Sequence, residues 1–498
     1  MVLPAETRSH MRIGKTAKAA IVLFIILCTF MALYFTRTPA GASYPVLGRE
    51  MITEIGVVED HRDALEFWIE KGIRNAVLVN IDAHDDMKRI PSGELRDLKE
   101  TVQRRTSGEL AVQGGTEGYL SASNANFIYG AAKLGIVRKV IWVVPSTYEL
   151  FADSGDRLAA LLKMYGFSSG DIQSFRLKNR RFEGTADGIP LIICDAGSLP
   201  DLNEPILLSV DVDFFPELID NGNLRISDSL RQTFNALFRK GYAIRNALVA
   251  YSVSGGFLDA RYRWVGDLVV DTLRIPGLNP LPDLPGRYSF LQRADLLLQM
   301  KRYKELLDHL SPLLTGEAKE PAAMLYAAQA CQELGKTEQA FRWAETACLS
   351  DRRYCYGLPQ LGTAVLDRSG LSAAERFFVR GYELYPDMDE GQFRFAMSLK
   401  KSGRLEDAIR YFNVFRKCYG PFPVDFYLAE TFLLKGDEVS ALRYYNYGRQ
   451  EVTRNPSILT GFGDVRAIEN AAVFYEKKGY ERYAAELREC IGRTVYSR

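Results

Sequence analysis

Basic residues are not in excess: Lys plus Arg number 63 against 62 Asp plus Glu in 498 residues. No charge surplus exists to neutralise a phosphate backbone, and nucleic-acid binding is set aside. No low-complexity tract is present, and 47% hydrophobic with 25% charged residues is the composition of a folded chain, which excludes disorder as its main state. Cysteine lacks C-x-x-C spacing: Cys28, Cys194, Cys331, Cys348, Cys355, Cys418 and Cys490 are scattered. That excludes a zinc cluster or a dense disulfide framework. The five beyond residue 330 read as buried free thiols acting as small hydrophobes, and the redox compartment stays open. Histidine is the scarcest of these types, with only His10, His61, His84 and His309.

One apolar run is long. Ala19 to Phe35 carries no charge over 17 residues, just enough to span a bilayer. Arg8, Arg12, Lys15 and Lys18 precede it against a single Glu6, and Arg37 follows, so the positive-inside bias keeps the N-terminus cytoplasmic and places the rest across the membrane, lumenal or periplasmic. A cleaved signal peptide is the rival reading, because Ala40-Gly41-Ala42 has a small-x-small pattern. The length of the run and the intervening Arg37 favour an anchor, and either reading exports the bulk of the chain.

Past a polar linker, short Val/Ile-rich runs alternate with amphipathic stretches. Strands are expected at Thr53–Val58, Ala76–Ile81, Lys139–Val144, Leu191–Cys194, Ile206–Val212 and Ala247–Val253, with helices between, such as Asp63–Lys71, Asn124–Leu134, Tyr148–Tyr165 and Asp228–Lys240. Little polar alternation within the strands points to βαβ units and a mainly parallel sheet covered on both faces. Pro276, Pro280, Pro282 and Pro285 then mark a boundary. Beyond it Gly335, Gly403, Gly436 and Gly479 are each followed five residues on by Ala340, Ala408, Ala441 and Ala484, with Gly370 in the missing slot and its alanine one residue early. The period of 34 resembles the tetratricopeptide repeat. Leu306 marks a degenerate first copy, and Phe412 and Tyr445 sit where such a repeat packs a large side chain. The longer last interval implies a loop or capping helix, and about five hairpins should stack as a solenoid. The divisions are 1–18 cytoplasmic, 19–36 membrane anchor, 37–50 linker, 51–275 α/β domain, 276–286 Pro-rich linker and 287–498 helical repeats.

Two strings carry chemistry: Asn80-Ile81-Asp82-Ala83-His84-Asp85-Asp86 and Ser209-Val210-Asp211-Val212-Asp213. Each follows an apolar strand, so its acids sit at the C-terminal edge of a sheet, where open α/β folds build their sites. Buried strand ends carrying Asp-x-His or Asp-x-Asp are costly unless a cation offsets the charge. Residues at i and i+2 share a side, which pairs Asp82 with His84 and Asp211 with Asp213, while Asp86 can curl back from the next turn. The oxygen-rich set favours a hard divalent ion, Mn²⁺ first, with Zn²⁺ or Fe²⁺ open, and a site for two such ions is expected.

D-A-H-x-D with S-x-D-x-D resembles the metal signature of the arginase/deacetylase (ureohydrolase-like) superfamily, which implies an arginase-like three-layer α/β fold. His61, closing Val57-Val58-Glu59-Asp60-His61, stands 21 residues before Asp82, close to where arginases place a further metal-binding His. The resemblance implies that His61, Asp82, Asp86 and Asp211 hold one ion and Asp82, His84, Asp211 and Asp213 the other, with Asp82 and Asp211 bridging. More narrowly, V-V-E-D-H-x-D, the S-x-x-N run at 121–124 and V-I-W-V-V-P at 140–145 resemble an uncharacterised branch that includes peptide arginases, which convert peptidyl arginine to ornithine.

The chain departs from these families in leaving no histidine for acid catalysis, which argues against a deacetylase mechanism and leaves Asp86 as proton acceptor. Asp259, in Ser254-Gly255-Gly256-Phe257-Leu258-Asp259, is the candidate carboxylate for a guanidinium, beside the bland alternative of a solvated loop acid. Asn124 and Asn126 read as helix caps more than substrate contacts. The expectation is a membrane-anchored binuclear metallohydrolase of a C–N bond in a peptide or protein recruited by the repeats. The alternatives are an inactive metal-binding scaffold or a hydrolase of small amides.

Overall fold

The structure, a computed structural model, describes residues 52–495 apart from 53, 107–121, 149, 151–154, 218–224, 255, 276–283, 285, 316–318, 387, 389–390, 420–421, 455–458 and 460–464. The expected membrane anchor at 19–36 and most of the Pro-rich linker lie outside the described residues. Among the described residues, no helix is long and apolar enough to cross a membrane.

Eight strands form one sheet: β1 (Ile55–Val58), β2 (Ala76–Ile81), β3 (Val137–Val143), β4 (Arg176–Lys178), β5 (Arg181–Ala186), β6 (Ile189–Cys194), β7 (Ile206–Asp211) and β8 (Ile244–Ala250). Their order is β1-β8-β7-β2-β3-β6-β5-β4. The first six in that order run parallel. β5 and β4 add antiparallel at one edge. The six expected strands are present, with ends displaced by up to three residues. The edge pair β4 and β5 is an addition to the expected sheet, as is the helix Ser92–Thr106.

Alternation sorts β2 onto two cores. Val77, Val79 and Ile81 face one side, where the helices Ile226–Arg239 and Arg263–Arg274 pack. Leu78 faces the other, against Leu65, Trp68 and Phe127 from the helices Asp63–Glu70 and Phe127–Lys133. The first core does not stop at residue 275. It continues without a break through Tyr288, Leu291 and Ala294 into Tyr326 and the rest of the helical region, and residues 50–498 form one compact unit. The division at 276–286 therefore separates two architectures that share one core.

That helical region contains six described hairpins, from Gly286–Gln299 with Tyr303–Thr315 to Arg466–Lys477 with Glu481–Val495, one more than expected. Gly335, Gly370, Gly403, Gly436 and Gly479 all have φ between 72° and 84°, the left-handed turn conformation that glycine adopts without a Cβ clash. Ala340, Ala374, Ala408, Ala441 and Ala484 are buried where helices meet, as are Leu306, Phe412 and Tyr445. This is a tetratricopeptide-like arrangement.

The free-thiol expectation fails at one place. Cys348 and Cys355 form a disulfide, because the 3-10 turn Arg352–Tyr354 folds the end of one helix back toward the start of the next. Cys194, Cys331 and Cys490 are buried and outside any disulfide among the described residues.

Candidate metal centre

The C-terminal ends of β1, β8, β7 and β2 lie side by side because those strands are neighbours and parallel. The segment after β1 brings His61, that after β2 brings Asp82, His84 and Asp86, β7 ends in Asp211 with Asp213 beyond it, and β8 leads to Ser252. The six sequence-expected ligands thus meet at one sheet edge, on a cavity of about 320 Å³ lined by His61, His84, Asp86, Asp211 and Asp213 among others.

His61 is almost wholly buried. Its Nδ1 lies 3.0 Å from Asp82 Oδ2, 3.1 Å from Asp86 Oδ2 and 3.2 Å from Asp211 Oδ2, yet has no hydrogen-bond partner of acceptable geometry. Donor atoms about 2.1 Å from a common ion and at right angles to each other stand about 3 Å apart. An orphaned buried nitrogen amid three carboxylate oxygens at that spacing fits a cation. His61, Asp82 and Asp211 form one group of ligand atoms, and Asp82, His84 and Asp213 form a second. Asp82 is common to both, as a bridge requires. Asp211 falls in the first group only, unlike the double bridge the resemblance implies.

Local geometry holds each ligand. His61 Nε2 meets Ser209 Oγ at 2.8 Å, which leaves Nδ1 for the cluster. Asp82 Oδ1 accepts from the His84 amide at 2.7 Å, and its Oδ2 accepts from Asn80 Nδ2 at 3.1 Å. Asp211 Oδ2 accepts from Ser252 Oγ at 2.6 Å. His84 Nδ1 lies 3.0 Å from Asp213 Oδ2, with its ring half exposed. Asp86 and Ser252 both have φ of 52°, an uncommon left-handed backbone for such residues that marks local strain at the site.

Charge crowding shifts the proton affinities of these groups. Burial and the Asp82 charge push Asp86 well above the usual carboxylate range. Burial and Asp211 do the same to Asp213. The Asp213 carboxylate pushes His84 up to about 10. Burial opposes the charging of His61, but the nearness of the Asp211, Asp82 and Asp86 carboxylates prevails and raises it. Without a cation, protons must offset this many acids.

The remaining sequence candidates fall elsewhere. Asp259 does not line the cavity. Its carboxylate accepts from the Arg261 amide at 3.0 Å and from Arg261 Nη1 at 2.8 Å, so it caps the turn Ala260–Tyr262. Asn126 occupies the N-cap position of Phe127–Lys133 without a side-chain cap. Asn124 accepts from the Arg62 amide at 3.0 Å and lines the cavity, so the capping expectation fails for Asn124 and holds for Asn126 in position only. Sequence reasoning passed over Ser209, Ser252, Asp85, Tyr165 and Phe257. Of these, Ser209 was legible, two residues before Asp211 and hence on its side of the strand.

No protein-family model matches the chain, and no curated protein does. Solved structures similar to part of it include "Crystal structure of MamA", 16% identical with a TM-score of 0.27, over 34% of this chain and 96% of that one. Another is "Crystal structure of YrrB: a TPR protein with an unusual peptide-binding site", 18% identical with a TM-score of 0.26, over 34% of this chain and 88% of that one. TM-scores this low leave the tetratricopeptide-like assignment to rest on the repeat pattern and the helix geometry, and the arginase/deacetylase resemblance to rest on the residues and motifs that carry it.

Proposed function

We propose that the chain is a binuclear metallohydrolase of arginase-like type, acting on the guanidino group of peptidyl arginine to give urea and ornithine. The observation that carries this reading is the pair of candidate ligand groups that share the buried Asp82, beside the cavity lined by His61, His84, Asp211 and Asp213. Divalent ions held there, Mn²⁺ first by the oxygen-rich donor set, would bring the pKa of water toward neutrality and supply a nucleophile at the guanidinium carbon. Asp86 is the proton acceptor in this reading, since it lines the cavity beside His61, at 3.1 Å from its Nδ1. The crowd of carboxylates favours a cationic substrate over a neutral amide. Asp259, tied to Arg261, is withdrawn as the guanidinium clasp. The helical hairpins would recruit the protein or peptide that bears the arginine. A Cys348–Cys355 disulfide supports an oxidising, extracytoplasmic setting, in keeping with the membrane anchor proposed at 19–36.

Mn²⁺-loaded full-length protein incubated with an arginine-containing peptide should release urea and leave a product lighter by about 42 Da, the loss expected when a water attacks the guanidinium carbon. Asp82→Asn should abolish both the product and the binding of both ions. If metallated wild-type protein turns over neither arginine peptides nor free arginine, the scaffold reading replaces this one.

A further inference from the structure

A side chain of the helical region bonds the segment that follows Phe257 at the cavity. Gln360, on the helix Gly357–Ser369, accepts from the Ala260 amide through Oε1 at 2.8 Å and donates through Nε2 to the Leu258 carbonyl at 3.2 Å. Both backbone groups belong to the segment that carries Phe257. Phe257 is 51% exposed, lines the cavity and sets its ring edge-on to His84 at 5.2 Å between centroids. The Leu258 amide in turn donates to the Ser252 carbonyl at 3.0 Å, and Ser252 Oγ donates to Asp211. A line of hydrogen bonds therefore runs from a solenoid helix to a candidate metal ligand. An amide side chain satisfying one backbone donor and one acceptor on nearby residues fixes both position and orientation, where a single bond would leave a hinge.

We propose that Gln360 is a positioning residue for the site: it holds Phe257–Ala260 so that the Phe257 ring forms the wall beside His84. The helical region is then part of the substrate cavity's framework as well as a separate surface. This rests on the reading that the cavity is the working site. The Cys348–Cys355 disulfide lies a few residues before Gln360 and ties down the turn from which its helix starts.

The test uses the full chain with Gln360→Ala, which removes both bonds, and Gln360→Glu, which keeps the acceptor for the Ala260 amide. In metal-free protein, hydrogen exchange at the Ala260 amide, which loses its acceptor, should speed up by about ten-fold in Gln360→Ala, the change expected for a lost hydrogen bond at the upper end of ordinary net strength, and exchange at Leu258, whose amide stays on the Ser252 carbonyl, should speed up by less as the segment loosens. Amides of β2 and β7 should keep their rates, and Gln360→Glu should restore most of the protection at Ala260. A second arm places a nitroxide on Phe257→Cys and adds Mn²⁺ alone. Its broadening by the bound ion should weaken when Gln360→Ala is added, a change that a merely structural role would not produce. Unchanged exchange at Leu258 and Ala260, or acceleration spread evenly over the sheet, overturns the proposal. No broadening with Gln360 intact overturns the metal reading, while the exchange arm still decides the role of Gln360.

Discussion

At the scale of single residues, the donors that hold the ligands matter as much as the ligands. Ser209 fixes the ring of His61 by its contact at Nε2, and Ser209→Ala should lower Mn²⁺ affinity by roughly 10–100-fold, the usual effect of removing such a support, with the fold intact. Calorimetric titration checks this, and equal affinity would mean the imidazole is held by packing alone, against Phe127 at 4.8 Å. Proton linkage gives a second expectation. Asp86, Asp213, His61 and His84 all bind protons more tightly in the folded metal-free chain than in ordinary surroundings. The folded state then holds protons that the unfolded state releases earlier, so the stability these groups contribute is complete below their unfolded pKa and is lost as pH rises. For His84 that window runs from the ordinary imidazole value of 6.5 to about 10. Metal-free protein should therefore lose thermal stability as pH rises across this window. Mn²⁺ should reverse the trend, bind more tightly as pH rises, and release protons into weak buffer. A flat stability profile with no proton release would remove the cluster from consideration as a metal site. The candidate ligands after β2 and β7 were legible because acids at apolar strand ends need a partner, and His61 only through the family resemblance. Ser252 and Gln360 were not, because they come from distant chain and show no pattern of their own.

Secondary elements tell a similar story one level up. The parallel strands were readable because their Val, Leu and Ile runs are buried on both faces. β4, with all three residues exposed, has no such run, and short charged edges of that kind are how sheets protect themselves from further pairing. Gly184 in β5 fits the same picture, since a Cβ there would overlap the Phe175 ring. The helix Ser92–Thr106 escaped because its composition is mostly polar. The helix Arg263–Arg274 gives the sharpest test at this scale. Gly266 lies against Tyr251 so closely that a Cβ would overlap the ring. That ring is held from another direction by Arg263, 4.5 Å from its centroid, whose guanidinium also makes paired bonds to Glu59 two residues before His61. With no free side for the ring to move toward, Gly266→Ala should cost about 1–3 kcal/mol, as overpacking of a filled core does. Chemical denaturation would show it as a lower midpoint at unchanged slope, and an unchanged midpoint would mean the ring has room.

Across the whole molecule the sequence reading separates what the core joins. A proline cluster and a change of periodicity mark a boundary between architectures, but neither reports which apolar faces remain uncovered. Those faces meet each other: Trp264 donates to the Tyr326 hydroxyl at 3.2 Å, the rings of Tyr262 and Tyr326 pack edge to face, and Arg263, 2% exposed, lies over Tyr354 of the helical region. Burying one large side chain is worth roughly 1.5–3 kcal/mol. A handful of them therefore equals the net stability of an ordinary domain, about 5–15 kcal/mol. A fragment ending at residue 275 should accordingly fail to fold cooperatively: it should bind a hydrophobic dye, show no sharp thermal transition and take up Mn²⁺ poorly even though every candidate ligand is present. Residues 50–498 should instead unfold in one transition, with the sheet and the first hairpins melting together. Calorimetry of the two lengths decides it, and a cooperative, Mn²⁺-binding 50–275 fragment would show that the shared core is a docking contact between two independently stable domains.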